Sequence, residues 1–160
     1  MTLKLPPKRS AGLIKSFSFA LAGLSSAYLR ERNLRIHIAA GIIALYAGFL
    51  FGLSRHEWVL LILTVGLTVS CELMNAALEH LADLTCGENP HPLAKAAKDM
   101  AAGAVLICAL CSFGAAFFLF GDIERLAAVL RGCLANPLPT LFILAVAACA
   151  VFFPAFSVSE

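Results

Sequence analysis

The sequence predicts an all-α integral membrane protein: an N-terminal interfacial amphipathic helix, three transmembrane helices and an extra C-terminal transmembrane helix. Three observations predict it. The chain of 160 residues is 61% hydrophobic and only 14% charged, with a mean hydropathy of +0.89. A soluble domain is usually about 45–50% apolar and about 25% charged. The apolar residues also come in long blocks, and a helix needs roughly 20 of them to cross the hydrocarbon core. Finally, the basic residues cluster at one end, although the net charge is only +2.

Residues 1 to 9 read as a mobile basic tail. No apolar stretch leading to a signal cleavage site follows directly. From Gly12 to about Arg30, Ile14, Phe17, Leu21, Leu24 and Tyr28 recur at steps of three and four, a helical stripe. Lys15, Ser16, Ser18, Ser25 and Ser26 largely fall off it. Such a helix lies in the membrane interface or packs on a cytosolic partner. The first span, Ile36 to Leu53, is interrupted only by His37. The second runs from Trp58 to about Ala82, the third from Met100 to Phe120, and the fourth from Leu138 to Phe156 with Pro139 and Pro154 inside it. The "NPHP" stretch at 89–92 reads as a turn, since each proline biases its predecessor away from helix. "GDIERLAAVLRG", 121 to 132, reads as a short amphipathic link. There is no internal repeat.

Residues 1 to 35 hold seven basic groups, Lys4, Lys8, Arg9, Lys15, Arg30, Arg32 and Arg35, against one acid, Glu31. The positive-inside rule places this end in the cytoplasm. The 83–99 loop then lies on the same side and the 54–57 and 121–137 connections outside. Of the six cysteines, Cys71, Cys108, Cys111 and Cys149 lie inside apolar blocks. The C-x-x-C pair at 108 and 111 lacks a βαβ context or a second pair, so these read as small packing residues.

The stretch "CELMNAALEHLAD", 71 to 83, does not fit a plain span. An acid at the centre of a spanning helix costs about 2.5–3.5 kcal/mol on insertion scales, and such residues usually mark function. At about 100° per residue, Glu72, Asn75, Glu79 and Asp83 fall within a stripe roughly 80° wide. Glu79 lies about 10 Å beyond Glu72, toward the cytoplasm. The four form one column from inside the bilayer to its edge. Carboxylates and an amide are hard oxygen ligands suited to Mg²⁺, and one carboxylate could act as a general base. A helix-gluing stripe and an ion-conducting stripe are the alternatives. Lys95, Lys98 and Asp99 open the third span, where lysines bind phosphates as point charges or serve as positive-inside anchors. Glu31, among basic residues, reads on its own as an exposed ion-paired acid. His37, His56, His80 and His91 are dispersed and read as structural or interfacial. No Walker A loop, kinase Gly-rich loop or nucleophile elbow is present, and no nucleic-acid partner is expected.

At these residues the chain resembles the prokaryotic diacylglycerol kinase family, which includes the undecaprenol kinases. The family motif is like E-L-x-N-[ST]-A-[IL]-E-x-x-V-D, and this chain reads "ELMNAALEHLAD". "HPLAKAAKDMAAGAVL" is very similar to the family's second signature, and "SFSFALAGL" and "ERNLRIH" look like the undecaprenol kinase branch. The resemblance covers roughly residues 10 to 121. That leaves 122–137 as a linker and 138–160 as an extra hydrophobic segment. It implies a homotrimer with shared active sites that transfers the γ-phosphate of Mg-ATP to a lipid alcohol, undecaprenol first and diacylglycerol second. Carried over, Glu72 looks like the catalytic base, and Glu31 and Glu79 like the Mg²⁺ ligands. Asn89, Pro90, His91, Lys98 and Asp99 look like nucleotide contacts, and Asn75 and Asp83 like supports. Ala76 stands where the family has Ser or Thr, Ala82 where Val is usual, Phe19 where Tyr is common and Gly12 where Arg is often found.

Overall fold

The computed structural model describes residues 12–87 and 91–157. The basic tail expected at 1 to 9 and the turn residues Asn89 and Pro90 lie outside them. The described residues form six helices: α1 Leu13–Arg30, α2 Arg32–Phe51, α3 Arg55–Cys86, α4 Pro92–Phe120, α5 Ile123–Ala135 and α6 Leu138–Ser157. The all-α membrane architecture holds: α2, α3 and α4 are each long and apolar enough to span a bilayer. The α5–α6 pair, bent by 95°, supplies a fourth candidate.

α1 leaves Ile14, Phe17, Leu21 and Leu24 exposed, so of its apolar stripe only Tyr28 is partly covered by protein among the described residues. A surface of this kind suits the membrane interface. Glu31 alone separates α1 from α2, in an extended conformation at φ −93° and ψ 108°. The chain therefore turns sharply at one residue. Arg35, one turn into α2, is buried and donates from Nη1 to the carbonyls of Leu29 (2.9 Å) and Tyr28 (3.3 Å). A cation on the last carbonyls of a helix opposes their partial negative charge, so Arg35 fixes the elbow.

α2 ends at Gly52, whose φ of 60° is left-handed, a conformation glycine adopts without a Cβ penalty. Ser54 then opens α3 with a capping box: its N–H donates to Glu57 Oε2 at 2.7 Å. This cap starts α3 at Arg55, three residues before the apolar block at Trp58, because the box satisfies amides that would otherwise be orphaned. So short a link makes α2 and α3 an antiparallel hairpin. Gly41 and Gly48 let the two helices approach. A Cβ on Gly41 would lie 2.7 Å from Val65 Cγ1, and one on Gly48 2.8 Å from Leu61 Cδ2.

α3 has 32 residues, about 48 Å at helical rise, against about 30 Å of hydrocarbon. It runs past Ala82 to Cys86, and its excess length carries its last turns out of the apolar layer. α4 runs antiparallel to α3. Thr68 and Ser112 hydroxyls meet at 2.8 Å, and Cys108 and Cys71 sulfurs at 3.2 Å. Small and weakly polar groups of this type join spanning helices where no hydrophobic effect does. At the end remote from Glu31, Phe51, Leu53, Leu61 and Leu119 form the apolar core, with Phe120 edge-on to Phe51 at 5.1 Å.

α5 begins with the Asp122 side chain accepting from the Arg125 N–H at 3.0 Å. After the bend, α6 returns along α2. Thr140 bonds Tyr46 near one end, and the Ala150 carbonyl accepts from the Tyr28 hydroxyl at the other. Pro139 falls in the first turn of α6, where no intrahelical amide is needed.

The glycine contacts carry an expected outcome. Gly41→Leu forces Val65, a β-branched side chain with little freedom, out of place. It should destabilise the detergent-solubilised protein by about 1–3 kcal/mol. Gly66→Ala, where an added Cβ meets nothing within 4 Å, should leave the thermal midpoint within a degree or two of wild type or raise it.

Candidate active site

The acidic stripe of α3 lies along the end of the bundle that carries Glu31. Glu72 is 3% exposed and Asn75 8%, while Glu79 is half-buried and Asp83 exposed. Polarity and exposure thus rise together along the helix, from its interior to its protruding last turns. Glu72 lies beside Asn33, within electrostatic reach of His37, Glu79 and Glu31. Asn75 donates from Nδ2 to Glu79 Oε1 at 3.1 Å. That leaves the Asn75 Oδ1 acceptor buried with no hydrogen-bond partner. A buried unsatisfied carbonyl is costly and marks a place where a ligand's donor or a cation would be welcome.

Glu31 arrives from the α1–α2 elbow. Its Oε1 lies 2.9 Å from His80 Nε2 on α3. The lone acid of the basic N-terminal region therefore joins the α3 acids, and its partner is a histidine rather than one of the neighbouring arginines. Lys98 reaches across from α4, its Nζ 2.9 Å from Asp83 Oδ1. Two helices and an elbow thereby converge on one polar patch: Glu31, Glu72, Asn75, Glu79, His80, Asp83 and Lys98.

Other expected residues sit farther out. Asp99 pairs with Lys95 one turn away on α4, at 2.7 Å, and both are exposed. His91 caps α4, its Nδ1 accepting the Leu93 N–H at 3.2 Å. Asn89 and Pro90 are not among the described residues. Ala76 is 4% exposed, so the methyl that replaces the usual hydroxyl faces protein. Phe19 is exposed on α1 and Gly12 precedes its first turn.

An apolar groove of about 350 Å³ runs between α2, α3 and α4. Ile36, His37, Gly41, Thr68, Ser112 and Phe113 are among its lining residues. His37 belongs both to this groove and to the surroundings of Glu72. Thr68 of the groove lies one helical turn before Glu72 on α3.

A family model described as prokaryotic diacylglycerol kinase matches residues 18–120. The chain belongs to that family. Its relatives include an undecaprenol kinase of Bacillus subtilis, 46% identical over 107 residues, covering 66% of this chain and 86% of that protein. A diacylglycerol kinase of Synechocystis is 45% identical over 100 residues, 62% of this chain and 57% of its own length. One from Helicobacter pylori is 36% identical over 106 residues, 65% of this chain and 82% of its own length. No solved structure matches. The matched segment holds every residue of the polar patch and ends with α4, so α5 and α6 fall outside it.

Three residues at or beside the polar patch carry no clear signal in the sequence. His80 was set among dispersed histidines; nothing local announces a partner 49 positions away in the chain. Arg35 was counted only as topological charge. Its signal was a cation one helical turn into a span, in a basic stretch that ends one helix and begins the next. His37 was noted only as an interruption, and its place between groove and carboxylate comes from packing.

Arg35→Leu would leave the α1 carbonyls unanswered at the elbow. We expect a loss of about 1.5–3 kcal/mol, the range for bonds made by a charged donor. Helicity measured by circular dichroism should be retained, and the thermal midpoint lowered.

Proposed function

We propose that the protein phosphorylates a membrane lipid alcohol at the cytoplasmic interface with ATP, and that undecaprenol is the acceptor, giving undecaprenyl phosphate. The observation that carries this reading is the position of Glu72. It is buried at the inner end of a polar column, one helical turn beyond Thr68 of the apolar groove, and the column opens at Lys98. An amphiphilic acceptor and a water-soluble donor would meet there. Relatives named as undecaprenol and diacylglycerol kinases support the class. Undecaprenol is favoured by the form of the α1 and elbow sequences. Diacylglycerol is the second reading, favoured by the number of relatives so named. Membership of a kinase family leaves the ion-conducting reading without support.

In this reading Glu72 accepts the proton of the lipid hydroxyl. Burial in an apolar bundle suits a base that must act away from water. Asn75 holds Glu79 in place through its amide and leaves Oδ1 free. Lys98 exchanges Asp83 for a phosphate oxygen of the nucleotide, and Asp99, His91, Asn89 and Pro90 complete the nucleotide contacts. Asp83 keeps Lys98 oriented between turnovers.

The donor set fits a hard divalent cation. The described residues hold no cluster of three or more His, Cys, Asp or Glu that would cage a metal. Mg²⁺ is ordinarily bound by one or two carboxylates together with substrate phosphates. Glu31 and Glu79 would hold it, with the unpartnered Asn75 Oδ1 close by. Bound there, Mg²⁺ would neutralise charge on the transferring phosphoryl group, for which positioning and electrostatics supply nearly all the catalysis.

The topology proposed with this function puts the N-terminus, the α3–α4 connection and the C-terminal end of α6 in the cytoplasm. The kinase unit is 10–121, with 122–137 as linker and 138–160 as added segment. A homotrimer sharing sites between protomers is the proposed assembly, measurable by light scattering in detergent.

The direct test uses purified protein, Mg-ATP and each lipid in mixed micelles. Phosphate transfer to undecaprenol above diacylglycerol is expected, and chelation of Mg²⁺ should abolish it. Transfer to neither lipid removes the kinase reading. Glu72→Gln should lower turnover at least a hundredfold, the lower range for losing a general base, while nucleotide binding survives. Near-normal turnover in that variant would take Glu72 out of the base role. Lys98→Met should instead raise the KM for ATP.

A further inference from the structure

We propose that α6 is a built-in brace for the α1–α2 elbow, and that Tyr28 is the positioning residue through which it holds Glu31 in the site. The inference rests on the reading of Glu31 as a metal ligand, and it assigns a role to a helix outside the family match.

Three observations converge on Tyr28. Its hydroxyl donates to the Ala150 carbonyl of α6 at 2.8 Å. Its own carbonyl accepts from Arg35 Nη1 at 3.3 Å. It stands three positions before Glu31, whose carboxylate reaches His80 of α3. Tyr28 is therefore held at its backbone by α2 and at its side-chain tip by α6. α1 buries no residue of its own, so these bonds and Arg35's second bond, to Leu29, are its polar attachments to the bundle among the described residues.

α6 is itself fixed. Ala147 is 4% exposed, one turn before Ala150. At the other end of the helix, Thr140 and the Tyr46 hydroxyl lie 3.2 Å apart. The brace is thus anchored along α2 and brings its second half to the elbow. The Ala150 carbonyl belongs to the helix backbone and cannot move without moving α6. A single-residue elbow carrying a ligand needs such a support: one rotation about Glu31 would swing α1 and the carboxylate together.

The test compares Tyr28→Phe with Tyr46→Phe in the full chain. Each removes one hydroxyl bond to α6 and keeps the ring, the first at the elbow and the second at the far end. Tyr28→Phe should speed hydrogen exchange at the amides of 27–31. It should also weaken Mn²⁺ binding, followed by electron paramagnetic resonance with a non-hydrolysable ATP analogue, by roughly two- to tenfold, the span of one hydrogen bond's net worth. The Mg²⁺ concentration for half-maximal transfer should rise in step while kcat changes less. Tyr46→Phe loosens only the far anchor and should disturb exchange at 27–31 and Mn²⁺ affinity less than Tyr28→Phe does. Ala147→Leu, which pushes α6 off α2, should reproduce the Tyr28→Phe pattern. Wild-type exchange and Mn²⁺ affinity in Tyr28→Phe would overturn the brace, as would an equal loss in Tyr46→Phe. A chain that transfers no phosphate to either lipid would remove the kinase reading instead. Hydrogen exchange would still decide whether α6 holds the elbow.

Discussion

Acidic side chains on a membrane-spanning helix cannot be left facing lipid, and the rest of the molecule is arranged around that constraint. An unpaired carboxylate in hydrocarbon has no water to solvate it. α3 solves this along its length. Where it is deepest, Glu72 and Asn75 are enclosed by neighbouring helices. Where it protrudes, Glu79 and Asp83 meet partners on α3 itself and on α4. The cover comes from α2 and α4, so both must pack tightly against a helix that is mostly apolar.

Tight packing in lipid cannot be driven by hydrophobicity, since the surrounding chains are as apolar as leucine. It is achieved by shape and by weak polar contacts. Gly41 and Gly48 bring α2 close to α3. Thr68, Ser112, Cys71 and Cys108 knit α3 to α4. The same closeness leaves a groove between the three helices whose lining on α3 reaches Thr68, one helical turn before the buried carboxylate. Shielding an acid and admitting an apolar chain are thus two results of one packing arrangement. The elbow adds the last element. Arg35 answers the last carbonyls of α1 where the chain turns at Glu31, so an acid from outside the bundle reaches the α3 column.

Much of the fold was legible beforehand, because hydropathy and helical period are local properties. The spans, the interfacial helix and the single face shared by Glu72, Asn75, Glu79 and Asp83 all follow from residue order. Boundaries were less legible. Ser54 and Glu57 start α3 earlier than the apolar block does, since a capping box overrides hydropathy at a helix end. The site was legible in its acids and opaque in their partners. Lys98 with Asp83, and Glu31 with His80, join residues on different elements. No periodicity encodes such distances.

Residue order alone thus fixed an all-helical membrane chain with an acid column and a family membership, because each rests on spacing within one helix or on a contiguous signature. Helix packing determined which acids are buried, that Glu31 joins the column through a one-residue elbow, and that α6 returns to Tyr28. These depend on how antiparallel helices register against one another. That register is set by glycine contacts, hydroxyl pairs and caps acting between segments far apart in the chain.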